Sequence, residues 1–255
     1  MPLIEDRATR EQVIKNLKQK PISAVSADYW GLGYLFKMSS GCPEESNPLL
    51  AQRVADLIPF LATSDPILDI GSGRQYFISS LAMKTNYCLP DNPVITLDIA
   101  PIAGRFLNPR KNVSHTRANA MYLPFGDEKI GLITSNMAID YADDPEKVVA
   151  EMYRVLKPGG LAALTLMRPN MFAQDPDRFI DRLTTEREIQ DYIITKSIVN
   201  SGILTNSEAT VRQRFIRQGF EVTDLVVRVP SGLDPKKHPG AHSWWEVELR
   251  KKRAA

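Results

Sequence analysis

An α/β fold organised as a doubly wound, mostly parallel sheet is predicted by three observations. The first is Ile67-Leu68-Asp69-Ile70-Gly71-Ser72-Gly73, a continuously apolar strand entered after Pro66 that runs into a glycine turn and then the helical pattern Gln75-Tyr76-Phe77-Ile78. The second is the alternation of such runs with amphipathic stretches, with strands expected at 94–97, 113–116, 130–135 and 161–166. The third is Pro158-Gly159-Gly160, which should stop one helix and turn the chain into the strand at 161–166. Gly71 and Gly73 lack Cβ, so the backbone there can take positive φ and approach a ligand closely. Strand, turn and helix together make a nucleotide cradle, although a G-x-G pair alone also serves many surface turns.

Bulk properties narrow the class. A chain of 255 residues with 43% hydrophobic content can close one sizeable core, so a single domain is expected. The formal net charge of +2 provides no overall field for nucleic acid or an anionic membrane. Arg250-Lys251-Lys252-Arg253 reads as a solvated basic tail. Cys42 and Cys88 are too few for a disulfide framework, and no His or Cys spacing suits zinc, so no metal is expected. The first residues carry early acidic charge and no apolar leader, and no stretch approaches the roughly 20 apolar residues that span a bilayer. A cytoplasmic protein is expected.

Residues 1–46 divide into a short amphipathic helix, with Val13, Ile14 and Leu17 at helical spacing, and an aromatic stretch holding Tyr29, Trp30, Tyr34 and Phe36 around Gly31 and Gly33. That stretch reads either as a lid over a pocket or as cover for a core edge. Residues 47–167 form the nucleotide-binding core, opened by a helix with Pro48 at its first position and Leu50, Val54, Leu57, Ile58 and Leu61 along one face. Asp98, at the end of the second strand, stands where a carboxylate can accept both hydroxyls of a ribose. Asp144-Pro145 opens a helix with Val148, Val149, Met152 and Val155 on one face. Residues 168–206 read as an inserted helical cap, and 207–255 as a helix (207–218) followed by strands at 224–229 and 244–249.

In motif order, residues 49–166 resemble the class I S-adenosylmethionine-dependent methyltransferases, especially the small-molecule type related to ubiquinone and menaquinone biosynthesis enzymes. The stretch 67–73 is similar to that family's first motif, Leu97-Asp98 to its ribose-binding acid, and Ala118-Asn119-Ala120-Met121-Tyr122-Leu123-Pro124-Phe125 to its adenine-edging segment. Asp144-Pro145-Glu146-Lys147 through Arg154-Val155-Leu156-Lys157-Pro158-Gly159-Gly160 is the most specific match. The resemblance implies a Rossmann-like, seven-stranded sheet with a final antiparallel strand. It also implies S-adenosyl-L-methionine as cofactor, with Gly71, Ser72 and Gly73 bringing main-chain groups to its methionine part and Asp69 organising the turn. Asp98 would take the ribose, Ile99 a face of the adenine, and Asn119 with the backbone of Ala120 its edge; Asn136 joins the same set. The sequence departs from the family in having Gln75 for a third glycine and Asn119 for an acid, which implies weaker but retained cofactor binding.

Methyl transfer from a sulfonium needs mainly proximity and orientation. In the stretch 135–141 after the fourth strand, Asp140 is the candidate for accepting a proton or holding a cationic amine, and Tyr141 for shaping the pocket; a helix cap and a core aromatic are their alternative readings. Tyr29, Trp30, Tyr34 and His242 are the candidate substrate contacts, His115 reads as structural, and Pro239-Gly240 keeps His238 and His242 off an ordinary helix. The expected partner is a small-molecule substrate, with no membrane, and the chain is expected to be a monomer or homodimer. Competing readings are an RNA or protein methyltransferase, which the absence of a basic stripe disfavours for RNA, and a cofactor-binding partner protein without turnover. A dehydrogenase is disfavoured by Leu156-Lys157-Pro158-Gly159-Gly160.

Overall fold

The computed structural model describes residues 7–20, 46–73, 76–84, 91–100, 111–167, 180, 192, 196, 207–228 and 244–253. The candidate residues Tyr29, Trp30, Tyr34 and His242, the departure at Gln75, His238 and nearly all of the expected cap lie outside these.

The strands are β1 (Ile67–Ile70), β2 (Val94–Asp98), β3 (Val113–Arg117), β4 (Ile130–Asn136), β5 (Leu156–Met167), β6 (Phe220–Arg228) and β7 (Trp244–Lys251). They form one seven-stranded sheet in the order β3-β2-β1-β4-β5-β7-β6. The first five pair in parallel, and β7 runs antiparallel between β5 and β6, as the family resemblance implies. The helices are α1 (Arg7–Gln19), α2 (Ser46–Leu57), α3 (Tyr76–Lys84), α4 (Pro145–Val155) and α5 (Glu208–Arg217).

Two apolar layers follow from the period-2 alternation of side chains across the sheet. On one face Leu50, Ala51, Val54 and Leu57 of α2, with Ile78 and Leu81 of α3, pack on Ile67, Val94, Leu132, Leu161 and Ala163. On the other, Val148, Val149, Met152 and Val155 of α4, with Val211 and Phe215 of α5, cover Leu68, Ile70, Ile133, Leu164, Val247 and Leu249. Each of these large side chains contributes about 1.5–3 kcal/mol by leaving water, which makes the helix faces the main support of the sheet. Asp144 caps α4 by accepting from the Lys147 N–H at 3.0 Å, ahead of Pro145.

Three local expectations need correction. Residues 156–160 are not a turn ahead of a strand at 161; α4 ends at Val155 and β5 starts at once, with Gly159 at φ +80° and a register shift between Ile130 and Leu132. The extra residues bulge out of the β4–β5 ladder, which the glycines permit. Likewise β6 starts at Phe220, directly after Gly219 at φ +97°, rather than at 224. The basic run at 250–253 is not simply a solvated tail: Lys251 ends β7 buried, its Nζ donating to the Leu156 carbonyl at 2.9 Å and to Glu128 Oε1 at 3.2 Å.

Candidate cofactor and acceptor site

The glycine turn sits at the carboxyl end of β1, beside the carboxyl ends of β2 and β4. Gly71 at φ +72° and Gly73 at φ +50° take the left-handed region that L side chains avoid. The Gly71 and Ser72 N–H groups both donate to the Leu97 carbonyl, at 2.7 and 3.0 Å, which ties the turn to β2. Gly71 has a second reason to lack a side chain: a Cβ there would overlap the Cβ of Ala138. The glycine turn and the post-β4 segment therefore touch, backbone against methyl.

Asp98 holds the turn. Its Oδ2 accepts from the Gly73 N–H and its Oδ1 from the Ala100 N–H, both at 2.8 Å. With Ile99 as a third backbone donor, about one of the carboxylate's roughly four acceptor sites stays open to a ribose hydroxyl. Burial pushes its pKa up, opposed by the backbone donors of Ala100, Gly73 and Ile99. Asp69, fully enclosed one strand away, is pushed up to about 8 by burial first and then by the neighbouring Asp98. Its Oδ2 and the hydroxyl of Ser72 are both buried without a hydrogen-bond partner. Orphaned polar atoms at a glycine turn are where a ligand's own donors and acceptors complete the set. The donor set fits a nucleoside with a polar amino-acid tail.

In the loop after β3, Asn119 Oδ1 accepts the Met121 N–H at 2.9 Å and caps a single 3-10 turn, Ala120–Tyr122. One lone pair on that oxygen stays available. Ile99 is half-buried, and its carbonyl accepts from Arg117 Nε at 3.1 Å. Sequence reasoning missed what fixes this segment. Arg154 of α4 donates to the carbonyls of Phe125 and Leu123 and is clamped by Glu151 and Asp127, while Glu151 Oε2 also accepts the Leu123 N–H at 2.8 Å. The Arg154 pairing holds Glu151 below the usual carboxylate range. The signal was in the helix, where an acid and an arginine three residues apart share one face.

After β4 the chain makes an elbow. Met137 takes φ +50°, a conformation worth about 1–2 kcal/mol of strain in an L residue. It is held by its N–H, shared between the carbonyl of Thr165 at 3.1 Å and the Thr165 hydroxyl at 3.0 Å. That hydroxyl donates to Asn136 Oδ1. Asp140 and Tyr141 lie in the next 3-10 turn, Ile139–Tyr141; Asp140 is completely buried and Tyr141 partly exposed. His115 faces Thr96, its Nδ1 3.0 Å from the threonine hydroxyl, and burial holds it below its usual range. The structure thus brings Asp69, Gly71, Ser72, Gly73, Asp98 and Asn136 to the carboxyl ends of adjacent strands, with Ile99, Asn119 and Ala120 on the loops that leave β2 and β3.

A parallel sheet of this order, closed by an antiparallel hairpin and carrying an acid beside a glycine turn, defines the Rossmann-like methyltransferase class of fold. Residues 68–164 match the methyltransferase domain family. Over 130 residues the chain is 29% identical to arsenite methyltransferase of Halobacterium salinarum, covering 46% of this chain and 32% of that protein. It is 25% identical over 174 residues to malonyl-[acyl-carrier protein] O-methyltransferase 1 of Coxiella burnetii, covering 68% and 55%. A shorter stretch of 49 residues is 51% identical to the ubiquinone/menaquinone biosynthesis C-methyltransferase of Psychromonas ingrahamii, covering 19% and 20%. The chain thus spans only 32% and 55% of the length of the first two of these curated relatives. Among solved structures, a chain of the complex formed by the Haloferax volcanii Trm112 methyltransferase activator superposes with TM-score 0.59 at 17% identity, over 83% of this chain and 92% of that one. The phosphoethanolamine N-methyltransferase 2 of Haemonchus contortus gives 0.56 at 13%, over 94% and 59%. The methyltransferase domain match over residues 68–164 and these relatives support a class I S-adenosylmethionine-dependent methyltransferase.

Proposed function

We propose that this chain transfers a methyl group from S-adenosylmethionine to an oxygen, nitrogen or carbon atom of a small metabolite, by in-line displacement. The observation that carries this reading is the Asp98 carboxylate, which grips both the glycine turn and the following loop while keeping an acceptor site for a ribose hydroxyl. The cofactor supplies an already activated methyl group. Asp98 binds the ribose, the unpartnered Asp69 and Ser72 atoms meet the polar tail, and Asn119 with the backbone of Ala120 edges the base. Thr165 fixes the elbow at Asn136 and Met137 at the end of β4, beside the glycine turn, so the chain's contribution is orientation.

Asp140, from a fully buried position, stays in the proposal as the group that accepts a proton or holds a cationic amine, and Tyr141 as the one that shapes the pocket. Tyr29, Trp30, Tyr34 and His242 remain proposed substrate contacts. The activity named for the arsenite relative supports a small acceptor. Among the described residues no helix is long and apolar enough to cross a membrane, and action in the cytoplasm is part of the proposal.

Calorimetry with S-adenosylhomocysteine tests the first half: binding is expected, and Asp98→Ala should abolish it. No binding at high micromolar concentrations would sink the proposal. Labelled cofactor incubated with cell extract tests the second. Label in a small molecule supports this reading, label in RNA or protein supports a macromolecular acceptor, and binding without transfer supports a partner protein lacking turnover.

A further inference from the structure

The strand register sets one polar row along the face of the sheet that packs on α2 and α3. Ile70 is level with Leu97 and with Ser135, so the next residues, Gly71, Asp98 and Asn136, share a level. Asn136 is opposite Thr165, and Thr165 opposite Glu246 of β7. The row therefore runs Asp98, Gly71, Asn136, Thr165, Glu246 across five neighbouring strands. Its first two members hold the cofactor turn. Its last is a carboxylate only 4% exposed, in a position that the methyl-transfer machinery does not use.

Glu246 is half satisfied. Its Oε2 accepts from Arg228 Nε at 3.1 Å and lies 3.8 Å from Arg53 Nη2. Oε1 is buried with no hydrogen-bond partner. Arg53 is engaged elsewhere as well, with Asp224 at 2.8 Å and Glu248 at 3.1 Å. Among the described residues two guanidiniums face three carboxylates in this cluster, which leaves one negative charge over. A carboxylate oxygen enclosed without a donor is costly, and it marks a place where a donor arrives. Neighbouring strands lie about 4.8 Å apart, which puts Glu246 about 10 Å from Asn136 and from the end of β4 where the acceptor would meet the methyl group.

Resting on the methyltransferase reading above, we propose that Glu246 is the distal anchor of the acceptor and that the acceptor is a small organic cation. Its ammonium, or another positively charged N–H group, donates to Glu246 Oε1 while the atom to be methylated lies about two strand spacings away, over β4. Glu246 contacts substrate without taking part in the transfer.

The test uses the full chain, labelled S-adenosylmethionine and a metabolite extract separated by ion exchange into cationic, neutral and anionic pools. Transfer into the cationic pool is expected, and Glu246→Gln should lower it by about tenfold or more, the worth of a hydrogen bond to a charged group. Glu246→Asp, which keeps the charge and retracts it, should recover part of the loss. S-adenosylhomocysteine affinity should stay within about twofold in both variants, which separates acceptor anchoring from misfolding. Label entering only the neutral or anionic pool, label entering none, or transfer indifferent to Glu246→Gln overturns the inference. Failure of the unaltered chain to bind S-adenosylhomocysteine would instead remove the reading beneath it.

Discussion

Replacing Gly71 with alanine places a Cβ on top of the Ala138 Cβ and forces an L residue to φ +72°. The backbone part costs about 1–2 kcal/mol and the overpacking about 1–3 kcal/mol. Against these, the unfolded chain loses freedom worth about 0.4–1 kcal/mol. A net destabilisation of about 2–4 kcal/mol follows. The two parts separate in a double-mutant cycle, because Ala138→Gly removes the methyl that is struck and leaves the φ strain alone. Urea unfolding of the four proteins should show Gly71→Ala/Ala138→Gly recovering about 1 kcal/mol or more relative to the sum of the single changes. The Gly71 N–H donates to the Leu97 carbonyl at 2.7 Å, so the single variant should also weaken S-adenosylhomocysteine binding, and the double variant should restore part of it. A coupling energy below about 0.5 kcal/mol would refute the claim that Gly71 and Ala138 compete for one space.

Asp69 provides a pH test. Its carboxyl, raised to about 8 by burial and then by Asp98, keeps a proton in the folded chain that the unfolded chain has already released above about pH 4. Its stabilisation is therefore complete below its ordinary pKa and is lost as pH rises toward 8. Denaturant unfolding without cofactor should show stability falling from pH 5 to 8, by no more than about 1.4 kcal/mol per pH unit. Asp69→Asn should flatten that slope, and an unchanged slope would exonerate Asp69. Arg154→Ala frees two carbonyls and two carboxylates, and should cost about 1–3 kcal/mol in unfolding while loosening S-adenosylhomocysteine; stability without effect on binding would uncouple the latch from the site. Asn119→Asp keeps a cap for Met121 and provides a charged acceptor, so calorimetry should show affinity rising about three- to tenfold. Affinity unchanged or lowered would show that Asn119 does not edge the base.

Much of this molecule follows from local pattern. Continuous apolar runs and punctuating Gly and Pro located β1, β2, β4 and the apolar part of β5, because a parallel strand covered on both faces must be apolar throughout, while β7 was legible from its alternation. The same reasoning located Asp98, since an acid at a strand end beside a glycine turn has few other uses. It failed where one residue's conformation depends on a distant one. The bulge at 156–160 exists because β5 must stay in register with both ends of β4, and Lys251 is buried because Glu128 and the Leu156 carbonyl wait for it. Neither condition is visible along the chain. The polar row across β4, β5 and β7 is the clearest case. Asn136, Thr165 and Glu246 are scattered over 110 residues, and only strand register sets them side by side. What the sequence determined by itself was the cradle, built from neighbours in the chain whose glycines and acid act through local backbone geometry. What the tertiary structure alone decided was the row beyond it, because antiparallel closure by β7 turns a separation in sequence into a spacing of one strand.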